Sequence, residues 1–182
     1  MFPFNLPNTL TAIRVLLVPV LVVALLNGSS AGDVLAAIVF ALASLTDFVD
    51  GYLARSQNKV TDFGKLMDPV ADKLLIIAAL LSLVSLHKIM VWVAMVIITR
   101  EIVITVLRSY AAQNGVIVPA GSLGKAKTVF QIAAIFCIIL IPAQPVWVLA
   151  LLYLAVALTI ISGLDYFFGI RSKLQAKNTF PN

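Results

Sequence analysis

Apolar segments long enough to cross a lipid bilayer, or nearly so, recur along the whole chain. The clearest is the 20-residue run at 145–164, which contains no charged residue. A hydrocarbon core of about 30 Å takes roughly 20 apolar residues in a helix, so this run matches one complete span. Of the 182 residues, 62% are hydrophobic and 12% are charged. A soluble domain of this size could not bury so much apolar surface.

These segments predict an all-α integral membrane protein with six transmembrane helices, because an open sheet would leave backbone groups unpaired in lipid. The spans are placed at about 8–27, 34–54, 66–86, 89–110, 126–143 and 145–168. The third contains only 13 uncharged residues, 74–86, which cover about 20 Å as a helix. Its helix must therefore include Asp68 and Asp72 to cross the bilayer.

The N-terminus predicts a short interfacial segment ahead of the first span. Phe2, Phe4 and Leu6 precede Pro7 there, which gives an apolar stretch too short to cross. The first basic residue, Arg14, lies inside the first span. A cleavable signal peptide is therefore not expected.

Basic residues occur mainly in alternate loops. Of the 13, only Lys88 falls on the side that is otherwise poor in Lys and Arg. By the positive-inside rule, both termini and the two long loops, 54–66 and 111–127, face the cytoplasm. The expected location is the cell inner membrane. Because the net charge of +5 is distributed in this way, nucleic acid is not expected as a partner.

The acidic residues are concentrated near the second and third spans, where five of the eight lie between 47 and 72. Asp47 and Asp50 are three residues apart, and Asp68 and Asp72 are four apart, so each pair shares one helix face. A short connection makes the two helices antiparallel neighbours, and the four carboxylates can converge. Such anions need cations, and hard divalent ions with oxygen ligands are the natural choice.

Two simpler interpretations of this region remain open. The carboxylates could instead pair with the nearby basic residues Arg55, Lys65 and Lys73. Gly51, Ala54 and Gly64, the last placed just before the third helix, are small. Small side chains let a ligand approach the backbone, but they also serve helix packing in membranes.

Residues 47–72 follow the pattern D-x2-D-G-x2-A-R-x8-G-x3-D-x3-D without departure. In this pattern, and in its six spans, the chain resembles the CDP-alcohol phosphotransferase family. The resemblance implies one membrane domain over residues 1–182, a homodimer, and a polar cavity open to the cytoplasm. Enzymes of this family move a phosphate-linked group from a CDP-linked donor to an alcohol and release CMP.

The resemblance also assigns roles to the residues of the signature. It implies that Asp47, Asp50, Asp68 and Asp72 hold two divalent ions, Mg²⁺ or Mn²⁺, and that Asp72 is also the general base. It implies that Gly51, Ala54, Arg55 and Gly64 line the site for the cytidine diphosphate donor. Asn8 is assigned to the same site. For both Asn8 and Arg14, the alternative is that the side chain anchors the helix at the membrane interface.

Three further segments narrow the choice of acceptor. Residues 6–14, 99–102 and 124–128 resemble the bacterial phosphatidylglycerophosphate synthases, a branch of this family. That branch uses CDP-diacylglycerol as donor and sn-glycerol 3-phosphate as acceptor. The resemblance therefore implies a membrane-lipid donor and an anionic, soluble acceptor.

Basic residues suited to an anionic acceptor follow in the fourth and fifth spans. Arg100 and Arg108 are eight residues apart on one helix, and Lys125 and Lys127 open the next. Together they predict a pocket for a phosphate monoester. The alternative is that Arg108 and the lysines are ordinary cytoplasmic anchors, and that Arg100 forms a structural pair with Glu101.

Two other functions remain open. One is the same chemistry with a different acceptor, such as an inositol phosphate, a second lipid or serine. The other, from a different class, is a divalent cation transporter that uses the four aspartates as a filter. The predicted topology leaves no acidic path across the outer half of the membrane, which argues against the transporter.

Overall fold

A computed structural model describes the backbone of residues 6–57, 62–113, 115–116 and 121–179, and side chains over most of those ranges. Within these residues it contains six α-helices and no strand. The helices are α1 (Leu6–Leu26), α2 (Ser30–Gln57), α3 (Asp62–Ser85), α4 (Val91–Gln113), α5 (Ser122–Leu140) and α6 (Val146–Thr179). The prediction of an all-α protein is confirmed for this part of the chain. Phe2 and Phe4 of the predicted interfacial segment lie outside it.

The helices reproduce the six apolar segments, but several of their ends lie a few residues or more from the predicted ones. The helix α3 begins at Asp62, so Gly64 lies inside its first turn and the placement of Gly64 before the helix is wrong. Acidic residues are favoured at helix N-termini, which explains the earlier start. The helix α6 continues to Thr179 rather than ending near residue 168. The added residues are mostly good helix formers, so the helix extends past the apolar run.

Two of the helices in the described residues are long and apolar enough to cross a membrane by length and composition. They are Ser122–Leu140 and Val146–Lys173. Shorter apolar helical stretches occur at Thr11–Leu26, Ser30–Thr46 and Lys73–Ser85. Large apolar side chains such as Leu16, Val23 and Val146 are exposed, which is costly in water and favourable in lipid. These features indicate a membrane protein, and six complete spans stay a prediction.

The chain divides into two compact units, and a single domain over residues 1–182 stays a prediction. The first unit comprises Met1–Met90 and Ile135–Ala143. In it, α1 packs against both α2 and α3. Leu21, Phe40 and Leu80 belong to its fully buried core. Helix α1 therefore lies against both helices that carry the signature.

An ion pair joins the turns at one end of this unit. Lys88, which follows α3, donates from Nζ to both carboxylate oxygens of Asp33 in the first turn of α2, at 3.0 and 3.1 Å. The preceding residue, His87, lies in the turn with a φ of 56°. The loops after α1 and after α3 therefore meet at the same end of the unit. An alternating helix topology requires this arrangement.

The second unit comprises Val91–Ala134 and Gln144–Asn182. Its helices α4 and α6 pack against each other. Trp92 stacks on Tyr153 near the start of both helices, with 6.1 Å between ring centroids. Ala111 and Ile170 lie in one buried cluster near the other end of α4. Since the contacts advance along both helices together, α4 and α6 run parallel, as the predicted topology expects of the fourth and sixth spans.

Candidate active site

The signature residues lie on two helices that contact each other. Their positions on α2 are Asp47, Asp50, Gly51, Ala54 and Arg55, and those on α3 are Gly64, Asp68 and Asp72. The helical backbone of α3 includes both Asp68 and Asp72, as predicted from the length of its apolar run. The side chains of these eight residues, and that of Asn8 on α1, lie outside the described part of the chain. Their predicted roles stay predictions.

The donor chemistry of the signature fits a divalent metal. Carboxylate oxygens are the ligands that Mg²⁺ prefers, and a continuous helix places residues three or four apart on one face. Among the side chains that the structure does describe, no group of three or more His, Cys, Asp or Glu residues could hold a metal ion. The four aspartates of the signature are therefore the candidate ligands.

Arg14 is a buried charge on the helix that packs against both signature helices. It is only 2% exposed, so it is not an anchor at the membrane interface. A buried guanidinium is tolerated where partners compensate it. A charged side chain of α1 therefore lies in the interior of the first unit, beside its apolar core.

In the second unit, Arg100 on α4 is held by α6. Its Nη2 donates to the hydroxyl oxygen of Ser162 at 3.0 Å, and its Nη1 lies 3.5 Å from Glu101 Oε1. The stem of the side chain passes over Gly163, where an added Cβ would lie 3.2 Å from Arg100 Cγ. The Nε atom is buried and has no hydrogen-bond partner in the described part of the chain.

Arg108 contacts the same helix one turn further along. Its Nε donates to the Tyr166 hydroxyl at 3.2 Å, and its guanidinium carbon lies 5.2 Å from the centroid of that ring. This is the geometry of a cation–π contact. Arg100 and Arg108 thus place two like charges against residues 162–166 of α6. An anion bound near both groups would reduce the repulsion between them.

The two lysines of α5 differ in their surroundings. Lys127 is 2% exposed and forms an ion pair with Glu101 Oε1, the same oxygen that faces Arg100. Lys125 is exposed. The structural pair of Arg100 with Glu101 is thus present, and Lys127 shares it. Even so, the four cations of α4 and the start of α5 outnumber the two carboxylates of this unit, Glu101 and Asp165.

Sequence reasoning missed the α6 side of this cluster, namely Ser162, Gly163 and Tyr166. A signal was present in the sequence, because these small and polar residues lie at the end of the apolar run of α6. Ser162 and Tyr166 are also four residues apart, which places them on one face. Nothing in the sequence indicated that this face meets the arginines of α4.

Comparison with known proteins defines the class of the chain. The sequence model of the CDP-alcohol phosphatidyltransferase family matches residues 4–161, so the chain belongs to this family. Its enzymes generally depend on divalent metals, which agrees with the donor set of the signature.

Individual relatives narrow the class further. The chain is 41% identical to the CDP-diacylglycerol–glycerol-3-phosphate 3-phosphatidyltransferase of Bacillus subtilis (strain 168), over 96% of this chain and 100% of that protein. It is 40% identical to the Rickettsia felis protein of the same name, over 90% and 93% of the two chains. A probable phosphatidylglycerophosphate synthase of Mycobacterium tuberculosis is 44% identical over 89% of this chain and 79% of its own length.

Proposed function

We propose that the chain is a CDP-diacylglycerol–glycerol-3-phosphate 3-phosphatidyltransferase. It transfers the phosphatidyl group of CDP-diacylglycerol to sn-glycerol 3-phosphate and gives phosphatidylglycerophosphate and CMP. The family and the names of the relatives support this reaction. The observation that carries the choice of acceptor is the pair of guanidinium groups on α4, each of which bonds to a side chain of α6. A phosphate monoester would compensate their charge, whereas serine would not.

The proposed arrangement is a single membrane domain of six spans in the cell inner membrane, which works as a homodimer. Both termini and the site face the cytoplasm. Two observations support the alternation of the helices: the parallel course of α4 and α6, and the ion pair that joins the start of α2 to the turn after α3. The distribution of Lys and Arg supports the orientation.

For the donor side, we propose that Asp47, Asp50, Asp68 and Asp72 hold two divalent ions, Mg²⁺ or Mn²⁺. When bound, these ions supply positive charge to the diphosphate of the donor and to the departing CMP. The residues proposed to contact CDP-diacylglycerol are Asn8, Gly51, Ala54, Arg55 and Gly64. Arg55 contributes planar donors to a phosphate oxygen. The small residues let the nucleotide approach the helix backbone.

For the acceptor side, Arg100 and Arg108, with Lys125 and Lys127, hold the phosphate of glycerol 3-phosphate and orient its free hydroxyl. Asp72 takes the proton of that hydroxyl as its oxygen attacks the β-phosphorus of the donor. The new P–O bond forms as the bond to the bridging oxygen breaks, and CMP leaves with that electron pair. The attack is direct and forms no covalent enzyme intermediate, so trapping a stable phosphatidyl-enzyme would contradict it.

An acceptor panel tests the proposal. The purified protein in detergent receives CDP-diacylglycerol and Mg²⁺, and CMP release is measured with glycerol 3-phosphate, inositol 1-phosphate, serine, phosphatidylglycerol or no acceptor. We expect release to be stimulated by glycerol 3-phosphate alone. Stimulation by another alcohol would retain the aspartate site and reject the acceptor assignment. No release from folded protein, together with cation flux in proteoliposomes, would favour the transporter.

A further inference from the structure

Ser162 on α6 has a hydroxyl group whose orientation is set by two partners. The side chain is 4% exposed. Its Oγ donates to the backbone carbonyl of Thr159 at 3.3 Å and accepts from Arg100 Nη2 at 3.0 Å. Since the hydroxyl hydrogen is directed to Thr159, an oxygen lone pair faces the guanidinium. Ser162 therefore fixes one end of the Arg100 head group.

Gly163 gives the Arg100 side chain the room that it needs. A Cβ at this position would lie 3.2 Å from Arg100 Cγ and 3.7 Å from its Nε. The first distance is tighter than an ordinary carbon–carbon contact of about 3.5–4.0 Å, so an alanine would displace the stem. Gly169, further along α6, differs because a Cβ there would meet nothing within 4 Å.

These two residues leave the guanidinium ready for an external acceptor. Nη2 donates to Ser162, while the contact of Nη1 among the described residues is the long one to Glu101. Nε is buried without a hydrogen-bond partner in the described residues. A buried donor left unpaired is costly, and a phosphate oxygen would satisfy it while using the planar geometry of the group.

We infer that Ser162 and Gly163 are positioning residues for the phosphate of the acceptor and act through Arg100. The inference rests on the proposed function, because it assigns these α6 residues to the acceptor site of that reaction. Neither residue needs to contact the substrate. Their effect is to hold Arg100 so that its remaining N–H groups face the bound phosphate.

The test separates the acceptor from the donor by steady-state kinetics. CMP release is measured for Ser162→Ala and Gly163→Ala over a range of glycerol 3-phosphate, and then over a range of CDP-diacylglycerol. Each variant should raise the KM for glycerol 3-phosphate by about 5- to 20-fold, the loss expected for one charge-assisted hydrogen bond or its geometry. The kcat and the KM for the donor should stay within about twofold of the parent values.

Matched controls come from the same helix. Thr159→Ala removes a buried hydroxyl that bonds only to the backbone of its own helix at Ala155. Gly169→Ala adds a methyl group where there is space. Both should leave the KM for glycerol 3-phosphate unchanged. If they raise it as much as the test variants do, the effect is a general one of α6 and the inference is wrong.

The remaining outcomes are also decisive. If glycerol 3-phosphate stimulates the parent protein but Ser162→Ala leaves its KM unchanged, the inference fails and the proposed function stands. A fall in kcat or a rise in the donor KM, with no change in the acceptor KM, would make the residues merely structural. If glycerol 3-phosphate does not stimulate CMP release by the parent protein, both proposals fail. Should Gly163→Ala not fold, Ser162→Ala decides alone.

Discussion

The two compact units carry different balances of charge. Up to Met90 the chain has six acidic and six basic residues, whereas from Val91 onward it has two acidic and seven basic residues. The segment 135–143, which belongs to the first unit, has no charged residue. The whole net charge of +5 therefore belongs to the second unit.

The first unit is neutral overall, but its charges are not mixed evenly. Four of its six acids are the aspartates of the signature, which are proposed to hold cations. In the second unit, the carboxylate nearest Arg100, that of Glu101, is shared with Lys127. One unit thus needs added cations and the other needs an added anion. A metal-bound diphosphate donor and an acceptor phosphate meet these two needs.

The strongest test of this contrast is removal of the metal. It should affect the proposed metal site of the first unit and leave the proposed acceptor site unchanged. After exhaustive chelation, CMP release should fall to background, because the carboxylates of the signature would have no counter-charge. Addition of Mg²⁺ or Mn²⁺ should restore it. The stimulation by glycerol 3-phosphate should return with the same KM. Full activity in the chelated protein would remove the metal from the proposal.

The variant Asp72→Asn tests the proton transfer separately from metal binding. We expect kcat to fall by about 10²- to 10⁴-fold, the usual contribution of a general base. Binding of CDP-diacylglycerol should be partly retained, because the other three aspartates remain. The measurements are single-turnover CMP release and donor binding, with Asp33→Asn as a control outside the signature. Near-normal turnover would exclude Asp72 as the base.

The sequence predicted most of the helices because they depend on local patterns. The donor side of the site rests on a pattern of the same kind and stays a prediction. Apolar runs define the helices, and the spacing of Asp47, Asp50, Asp68 and Asp72 is readable without a structure. The helix ends that were predicted incorrectly, such as those at Asp62 and Thr179, depend on residues outside the apolar runs. Helix propensity and capping decide such ends, and hydropathy does not report them.

For the proposed acceptor side, the sequence predicted the arginines but not their partners, and the reason is a different one. The arginines of α4 were identified from their spacing, but the partner of Arg100 is Ser162, which is 62 residues away in the sequence. Spacing on one helix gives no information about the face that another helix presents. The pairing of Lys127 with Glu101 depends in the same way on how α5 lies against α4.

Lys127→Met should have the next largest effect, and it concerns stability. It leaves Glu101 without its buried partner, and breaking a buried ion pair costs about 3 kcal/mol or more. The melting temperature in detergent should fall clearly. Lys125→Met, two residues away and exposed, is the matched control and should change it little. Equal effects of the two variants would mean that the buried pair contributes no stability.

Arg100→Lys tests whether the two arginines of α4 contribute unequally to binding of the acceptor. Lysine keeps the charge but loses the planar set of donors, so the KM for glycerol 3-phosphate should rise by about 10- to 100-fold. Arg108→Lys should raise it less, because Arg108 is exposed and its Nε already donates to Tyr166. The donor KM should not change in either variant. A larger effect at position 108 would make that residue the main phosphate ligand.

Lys88→Gln should have the smallest effect. It tests whether the charges of the first unit can be changed without affecting the acceptor. Lys88 is a cation of the first unit that a carboxylate, that of Asp33, already compensates within the unit. Both side chains are partly accessible, at 17% and 14% exposure, so their pair should contribute about 1 kcal/mol or less. The melting temperature should fall slightly, and both KM values should stay the same. A changed KM for glycerol 3-phosphate would show that the acceptor responds to charge in the first unit as well, and the separation of the two roles would then be wrong.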